Sequence, residues 1–338
     1  MTYGKVTIHD ISKALGIDSS TVSRALNDSP RVSQKTKDKI FLKAKELGYQ
    51  RNSLASNLRT NRTNTIGVIV PRISRHFFAQ VIAGIEETAY EAGYNVVICQ
   101  SLESKDREVK LMETLLSNRV DGVLISISMQ TTTYEHLKIF KDRGAPIVFY
   151  DRPCNFEDCT SVSIDDFDAS FKATEHLILQ GCKNIAHFGG PQEIELYRDR
   201  KNGYRAALEK YGLEFREGYC FFSRLSEEDG IDSAKKVLEL KAVDGIYSAN
   251  DTSAISAIQF LKSKGINIPE DVAVVGFNND PISEVIEPPL TTISQPNFEL
   301  GKKASGILIE QIKEKKVGSE MVVLTSQLIV RNSSKHSG

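Results

Sequence analysis

The sequence of 338 residues lacks the features of a membrane protein or a secreted protein. No run of about 18 apolar residues occurs, so no transmembrane helix is expected. The N-terminal segment Met1–Lys5 leads into a polar helix pattern without the apolar core of a signal peptide, so we expect a cytoplasmic protein. For the same reason a secreted sugar-binding transport protein is only a remote alternative.

Cysteine chemistry has little support in the sequence. The five cysteines are scattered and form no CxxC pair, which favours reduced thiols. Cys154 and Cys159 leave a metal site open as an alternative, but no cluster of His or Cys lies near them, and protein metal ligands usually occur in such clusters. We therefore expect neither a bound metal nor a cofactor.

Common catalytic motifs are also missing. The sequence contains no GxSxG elbow, no HExxH pair and no GxGxxG fingerprint, and the pair Gly4-Lys5 lacks the upstream glycine of a P-loop. The six histidines and five cysteines show no spacing typical of a catalytic triad. An enzyme is therefore the other remote alternative, and the chain is expected to be non-catalytic.

The net charge of −1 conceals an uneven distribution of charge. Residues 1–62 contain 12 Lys and Arg against 5 Asp and Glu, whereas the remaining residues contain 31 against 39. A basic N-terminal segment on an acidic body is typical of a nucleic-acid-binding module joined to another domain. The chain length also favours two or three folding units.

Three short helices are predicted in residues 1–50. The second, Ser19–Leu26, is separated from the first by a short turn containing glycine, as in a helix-turn-helix. The expected helix caps and stops are Thr7 with Asp10, Gly16, Asp18, Ser33 and Gly48. The expected core-facing residues are Ile8, Ile11, Leu15, Val22, Leu26, Ile40, Ala44 and Leu47.

The outer face of the second predicted helix carries small hydroxyl residues and one arginine. Ser19, Ser20, Ser23 and Arg24 are not residues that a packing helix needs on its surface. In the major groove of DNA, short hydroxyls approach bases and phosphates closely, and Arg can donate two hydrogen bonds to guanine. The alternative is a small helical domain with an ordinary solvated face.

These motifs resemble the DNA-binding head of the lactose/galactose repressor (LacI–GalR) family. The segments that carry the resemblance are Val6–Ile11, Ser20–Asn27 and Gly48-Tyr49. The resemblance implies base contacts from Ser19, Ser20 and Arg24 and phosphate contacts from Thr21 and Ser23, since base contacts specify sequence and phosphate contacts set register. It also places Thr7 and Asn27 in the DNA-binding set.

A hinge of residues 51–63 is expected after the head. An isolated helix of eight residues, Asn52–Arg59, is too short to be stable in water. The resemblance implies that it becomes ordered on DNA, where Leu58 wedges between base pairs in the minor groove and Arg59 supplies positive charge. Arg51 stands where the family often has proline, so the helix starts without that rigid residue.

The body alternates short apolar strands with helix patterns, which indicates parallel sheets built of βαβ units. Val120–Val123 and Val243–Ile246 have similar sequences and both lead into a strand, which suggests two similar lobes. The expected fold is therefore mixed α/β, with an all-α head on a body of two parallel α/β lobes. The resemblance implies the bilobal fold of periplasmic sugar-binding proteins.

The domain boundaries follow from this interpretation. The head comprises residues 1–50 and the hinge residues 51–63. Residues 64–160 and 291–320 form the predicted N-lobe, and residues 161–290 and 321–338 form the predicted C-lobe. The string Pro288–Pro296 matches the family's crossover between lobes, and the chain leaves no room for a long helical tetramerisation segment, which favours a homodimer.

Ligands of such folds bind where parallel strands end, so the candidate ligand residues follow predicted strands. They combine aromatic faces for sugar CH groups with amide, carboxylate and guanidinium groups for hydroxyls. The candidates, most of them also implied by the resemblance, are Phe77, Phe78, Asp151, Arg200, Asn250 and Asn278. Each has a structural alternative: core for the phenylalanines, a helix or turn cap for Asn250 and Asp151, and a surface ion pair for Arg200.

The expected function is that of a transcriptional regulator, most simply a repressor. A dimer would place two heads on a near-palindromic operator, and a small ligand, expected to be a carbohydrate, would change the operator affinity by binding one lobe arrangement better. Release by ligand and co-repression are both compatible with the sequence. A purine or a protein corepressor in place of the sugar is the nearest alternative.

Overall fold

The computed structural model describes residues 6–49, 62–153, 159–240, 242–315 and 318–335. These residues fall into two compact units, divided between Thr63 and Asn64. Most of the predicted hinge, including Leu58 and Arg59, lies outside the described residues, as does Cys154. The roles of Leu58 and Arg59 therefore stay predictions from the sequence.

The described part of the first unit contains three helices: α1 (Ile8–Leu15), α2 (Ser19–Leu26) and α3 (Gln34–Glu46). The predicted starts are confirmed, since Asp18 caps α2 by accepting from the Ser20 amide at 2.7 Å and Ser33 caps α3. Gly16 ends α1 at φ 63°, a left-handed conformation that glycine adopts without strain. Helix boundaries were thus readable from capping chemistry alone.

A small apolar core holds these helices together. Its fully buried members include Ile11, Val22, Ala25 and Ile40. Leu26, which was predicted to face inward, is only partly buried, and Ala25 takes the buried position beside Val22. Three residues of a helix advance by about 300°, which turns Ala25 to the same side as Val22.

The second unit contains two six-stranded sheets with helices on their faces. The strands are β1 (Thr65–Val70), β2 (Asn95–Gln100), β3 (Gly122–Ile125), β4 (Ile147–Tyr150), β5 (Thr160–Ile164), β6 (Ile185–Gly189), β7 (Cys220–Phe222), β8 (Gly245–Ser248), β9 (Ala273–Asn278), β10 (Thr291–Ser294), β11 (Met321–Leu324) and β12 (Gln327–Ile329). The helices are α4 (His76–Glu91), α5 (Lys105–Ser117), α6 (Glu135–Asp142), α7 (Asp166–Leu179), α8 (Glu195–Lys210), α9 (Glu227–Leu240), α10 (Asp251–Ser263), α11 (Ile282–Val285) and α12 (Asn297–Glu314).

The two sheets have the same construction, which defines an N-lobe and a C-lobe. The N-lobe order is β11-β5-β4-β3-β1-β2 and the C-lobe order is β12-β10-β9-β8-β6-β7. Every neighbouring pair is parallel except β10 with β12. Each of the first five strands of the N-lobe therefore has a counterpart in the C-lobe, as the sequence echo suggested.

The echoed aspartates have matching structural roles. Asp121, before β3, accepts a hydrogen bond from the amide of Asn64 at 2.8 Å, just before β1 begins. Asp244, before β8, accepts from the amides of Lys183 and Asn184 at 2.8 Å, just before β6 begins. Each carboxylate thus joins the starts of two neighbouring parallel strands, which explains why the motif recurs in both lobes.

The lobe boundaries differ from the prediction at three strands. β5 pairs with β4 and β11 pairs with β5, so both belong to the N-lobe sheet and not to the predicted C-lobe. β10 pairs with β9 in the C-lobe sheet and not in the predicted N-lobe. The chain passes between the lobes after β5, after β10 and between β11 and β12, and strand pairing rather than the loop sequence decides where each crossing lies.

Close packing of α4 on α12 closes one face of the N-lobe. Gly84 of α4 and Gly301 of α12 lie at the crossing, where an added Cβ would come within 2.1 Å of the carbonyl oxygens of Phe298 and Val81 respectively. Backbone atoms cannot move aside as a flexible side chain can. The absence of a side chain at both positions is therefore a condition of this packing.

We expect Gly301→Ala to destabilise the protein by about 1–3 kcal/mol, because the helices must separate to admit the methyl group. Gly306 lies in the same helix with nothing within 4 Å of its added Cβ. Gly306→Ala should instead stabilise by up to about 1 kcal/mol through helix propensity. Urea unfolding of both variants measures the contrast, and equal midpoints would contradict this account of the crossing.

Candidate functional site

The head presents a polar face on α2, opposite its buried side. Ser20 and Arg24 are exposed, Ser19, Thr21 and Ser23 are half-buried, and Val22 with Ala25 faces the core. No hydrogen bond joins the Arg24 side chain to another part of the described residues. The predicted base-reading side chains therefore point away from the core of their own unit.

Two predicted DNA-binding residues also have structural roles in the head. The Thr7 hydroxyl and amide both donate to the Asp10 carboxylate at 2.7 Å, at the start of α1. The Asn27 side-chain amide donates to the Ser23 carbonyl at 2.7 Å and so closes the end of α2. Both residues are exposed, and their DNA contacts stay predictions.

The structure adds one residue to this face. The Nδ1 atom of exposed His9 lies 3.1 Å from the Ser19 hydroxyl, which links α1 to the first residue of α2. The sequence analysis treated His9 only as part of the capping segment. No spacing rule within one helix could have found this contact, because the two residues lie in different helices.

In the body, the structure brings all six predicted ligand residues to one cavity of about 640 Å³ between the lobes. Phe77, Phe78 and Asp151 come from the N-lobe, and Arg200, Asn250 and Asn278 come from the C-lobe. Three of them, Asp151, Asn250 and Asn278, lie at the carboxyl ends of parallel strands, where ligand clefts of such sheets form. Their contacts with a ligand stay a proposal.

The backbone around this cleft contains several left-handed residues that are not glycine. Leu102 and Glu103 follow β2 at φ 52° and 61°, Asp151 follows β4 at φ 66°, and Asn278 ends β9 at φ 113°. All four line the cavity. Such conformations cost free energy and concentrate at functional sites, so their position supports the cleft as the site of function.

Arg200 is held at the C-lobe side of the cleft by a buried ion pair. Its Nε donates to Asp166 at 2.7 Å, its Nη1 donates to the Ala249 carbonyl at 2.7 Å, and its guanidinium lies 3.5 Å from the centre of the Phe277 ring. Burial raises the pKa of Asp166 to about 6, although Arg200 opposes the shift. The surface ion pair considered for Arg200 is therefore wrong, because both side chains are about 95% buried.

A second buried ion pair holds the N-lobe side. Arg152 donates to both carboxylate oxygens of Glu103 at 2.8 and 2.9 Å and to the Ile127 carbonyl at 2.6 Å. Glu103 in turn accepts from the Met129 amide at 2.7 Å. Burial would raise the pKa of Glu103, but the paired Arg152 outweighs it, and the pKa lies below its ordinary value.

Asp151 lies beside this pair and accepts from the Ser126 hydroxyl at 3.1 Å. Burial raises the pKa of Asp151, while Arg152, at 3.7 Å from its carboxylate, opposes the shift. The remaining carboxylate lone pairs suit a hydroxyl donor in the cleft.

The phenylalanines serve as core and as cleft wall at the same time. Phe77 and Phe78 pack edge to face with ring centres 5.0 Å apart, and both belong to the N-lobe core. Both also line the cavity, together with Tyr197 of the C-lobe. The structural alternative and the functional interpretation are thus compatible for these residues.

The amides of Asn250 and Asn278 are partly engaged within the protein. Asn250 caps α10 by accepting from the Ser253 amide at 2.8 Å and donates to the Leu225 carbonyl at 2.9 Å, as the capping alternative expected. Asn278 accepts from the Gln295 side chain at 2.8 Å. Asn250 therefore shapes the cleft wall whether or not it touches a ligand.

Asp251, next to Asn250, organises the loop that carries Asn278. Its carboxylate accepts from the amide of Asp280 at 2.7 Å and from the hydroxyls of Ser283 and Thr292 at 2.8 and 2.6 Å. Burial raises the pKa of Asp251 to about 7, against the effect of these donors. No pattern in the sequence selected Asp251, because its partners lie 29 to 41 residues further along the chain.

Two contacts join the lobes across the cleft. Arg75 Nη1 of the N-lobe donates to the hydroxyl of Thr252 in the C-lobe. Met129 of the N-lobe packs on the C-lobe core. The lobes therefore touch at two residues that themselves line the cavity, Arg75 and Met129.

Several residues that line the cleft or support its lining were not in the predicted set. Glu103, which lines the cavity, and Asp166, which pairs with Arg200, follow strands β2 and β5 closely, so the strand-end rule could have selected them. Arg75 and Tyr197 precede or begin helices and carried no such signal. Within the ranges that the structure describes, no group of three or more His, Cys, Asp or Glu could hold a metal ion, and no helix is long and apolar enough to cross a membrane.

Comparisons with known proteins agree with this architecture. Residues 7–52 match the family model described as bacterial regulatory proteins, lacI family. Residues 63–332 match the model described as periplasmic binding proteins and sugar binding domain of LacI family. The two matches meet near the division between the compact units.

Individual proteins resemble nearly the whole chain. Catabolite control protein A of Priestia megaterium is 32% identical, covering 98% of this chain and 99% of its own. The structure of the transcriptional regulator CelR in complex with cellobiose is 29% identical, with TM-score 0.75, covering 97% of this chain and all of that one. The Lac repressor dimer bound to operator shares the fold, with TM-score 0.88, 24% identity and coverage of 98% and 100%.

Proposed function

The chain belongs to the LacI family of DNA-binding transcriptional regulators, and we propose that it is a homodimeric repressor whose operator affinity is set by a sugar bound between the lobes. The observation that carries this proposal is the polar face of α2. Its exposed Ser20 and Arg24 lie opposite the buried Val22 and Ala25, in the basic part of the chain. This face supplies hydroxyl and guanidinium groups to base edges in a major groove.

The proposed DNA contacts follow the sequence prediction. Ser19, Ser20 and Arg24 read bases, and Thr21 and Ser23 contact phosphates. Thr7 and Asn27, which stabilise the ends of α1 and α2, add contacts from the same side of the head. Two heads, one from each subunit, occupy two half-sites of a near-palindrome about one helical turn apart, because a two-fold dimer repeats its contacts.

The proposed effector site is the interlobe cavity. Aromatic walls from Phe77 and Phe78 suit the CH faces of a sugar, and the carboxylate of Asp151 accepts from hydroxyls. Support also comes from the family model of the body, which is a sugar binding domain, and from CelR, which was solved with cellobiose. A purine is the alternative, and it has less support because the family model and the CelR complex both point to sugars.

Coupling arises because both lobes contribute to the cavity. A ligand that binds one lobe arrangement better than the other shifts the population toward that arrangement. The free energy of operator binding then changes by the coupling between the two sites, typically about 1–3 kcal/mol. A protein that acts on operators is proposed to work in the cytoplasm and to have no catalytic activity of its own.

The proposal is tested by selecting bound duplexes from a random DNA pool with the full-length protein. We expect enrichment of a near-palindrome with two half-sites, and a change in affinity for it of roughly 5- to 150-fold when the effector sugar is added. The Arg24→Ala variant is the matched control and should enrich no motif. Enrichment of no sequence by the wild-type protein would contradict the proposed function.

A further inference from the structure

The interlobe cavity is larger than one sugar ring requires. Its volume is about 640 Å³, within the range of about 300–1,000 Å³ that is typical of sites for drug-sized ligands. A hexose has about 12 non-hydrogen atoms and two linked hexoses have about 23, and ligands of such clefts bury most of their surface. One hexose ring therefore leaves part of this space unfilled, and a second ring has room beside it.

This volume does not result from separated lobes. Arg75 already donates a hydrogen bond across the cleft to Thr252, and Met129 already packs on the opposite lobe. The size is thus a property of the joined lobes.

The cavity has an inner part and a rim of different character. The inner part is lined by Phe77, Phe78, Tyr197 and Arg200, each more than nine-tenths buried. At the rim an adjoining depression, which shares Arg224 with the cavity, is lined by an aromatic residue that the sequence analysis did not select, Phe222. The space therefore continues outward along the C-lobe.

Phe222 is placed as a stacking platform at this rim. It is the last residue of β7, at the carboxyl edge of the sheet where ligands bind. Its ring packs against Gly189, where an added Cβ would lie 2.9 Å from a ring carbon, and yet the side chain remains 40% exposed. The ammonium of Lys201 lies 5.1 Å from the ring centre on one side, which leaves the other face of this exposed ring as an apolar surface for a sugar ring.

The charges of the cavity favour an uncharged ligand. Its lining contains five arginines and five acidic residues, so the formal charges cancel. The two buried guanidiniums, of Arg152 and Arg200, are already paired with Glu103 and Asp166. The other three arginines of the lining, Arg72, Arg75 and Arg224, face an acidic set of equal or greater number, so the cavity as a whole offers no excess of positive charge to an anionic ligand.

We propose that the effector is an uncharged disaccharide or glycoside, with one ring in the inner part of the cavity and the second stacked on Phe222 at the rim. This inference rests on the proposed function and narrows it to a ligand size, a charge and a residue. It assigns Phe222 to an outer subsite whose loss should affect only ligands with a second ring.

The test is calorimetric titration of the full-length protein with glucose, galactose, cellobiose, maltose, lactose and glucose 6-phosphate. We expect one disaccharide to bind at least about tenfold more tightly than either of its component hexoses, and Phe222→Ala to remove that advantage. Phe222→Tyr, which keeps the ring, should preserve it. Tyr211→Ala removes a similarly exposed aromatic residue of the C-lobe that lines neither the cavity nor the adjoining depression, and should also preserve it.

The titrations distinguish failure of this inference from failure of sugar sensing as a whole. A hexose that binds as tightly as its disaccharides, a tightest ligand that is glucose 6-phosphate, or an unchanged ratio in Phe222→Ala would overturn this inference and leave sugar sensing intact. Binding of none of the sugars, by a protein that still selects an operator, would overturn sugar sensing and this inference together.

Discussion

Replacing Arg24 by alanine is expected to abolish discrimination between the operator and unrelated DNA. Each bidentate contact of Arg with guanine contributes about 1–3 kcal/mol of discrimination. A dimer loses two of them, so specific affinity should fall by about 30-fold to more than 10⁴-fold. Because Arg24 is exposed on α2 and outside the core, folding and effector binding should be unchanged. Fluorescence anisotropy with selected and scrambled duplexes measures the effect.

Lys39→Ala is a matched control for charge. Lys39 is an exposed basic residue on α3, outside the polar face of α2. Its loss removes one positive charge from the head, and any resulting loss of affinity should be the same for both duplexes, because charge attraction to phosphates carries no sequence information. If Arg24→Ala also weakened both duplexes alike, or weakened neither, Arg24 would not be a base-reading residue.

Replacing Arg200 by methionine is expected to be the most destabilising single change in the cleft. It leaves the carboxylate of Asp166 buried without its partner, and breaking a buried ion pair in this way costs about 3–5 kcal/mol. The guanidinium also leaves its position over Phe277 and its bond to the Ala249 carbonyl. We therefore expect a large fall in the denaturation midpoint together with loss of effector binding.

A double variant separates the structural role of Arg200 from its role at the ligand. Asp166→Leu with Arg200→Met replaces both charges by apolar groups, which is often neutral for stability. It should recover most of the lost stability, to within about 1–2 kcal/mol of the wild type, but not effector binding. Recovery of both would show that Arg200 only balances Asp166, and recovery of neither would show that the pair is required for folding.

The architecture of the head was predictable from the sequence because its signals are local. Capping residues, glycine stops and helical spacing act within a few residues, and the structure confirms the helices that they predicted. The core contains Ala25 where Leu26 was predicted, which shows the limit of this method, since burial depends on the angle at which helices meet. The His9–Ser19 contact depends on the same packing.

The cleft was predictable to the extent that strand ends determine it. All six selected residues line one cavity, because parallel strands bring their carboxyl ends to one edge. Long-range partners were not predictable: nothing in the sequence pairs Arg200 with Asp166 or Arg75 with Thr252. The lobe boundaries failed at β5, β10 and β11 for a related reason, since sequence patterns predict strands but not their neighbours in a sheet.

The most direct test of the central claim asks whether Arg24 on the α2 face contacts a particular guanine of the operator. In the operator that the protein selects, the half-site guanines are replaced one at a time by 7-deazaguanine, which lacks the N7 acceptor of the major groove. We expect one position to weaken the wild-type protein by about 1 kcal/mol or more and to leave Arg24→Ala unaffected. If every substitution weakened both proteins equally, the account of how this face reads DNA would be contradicted.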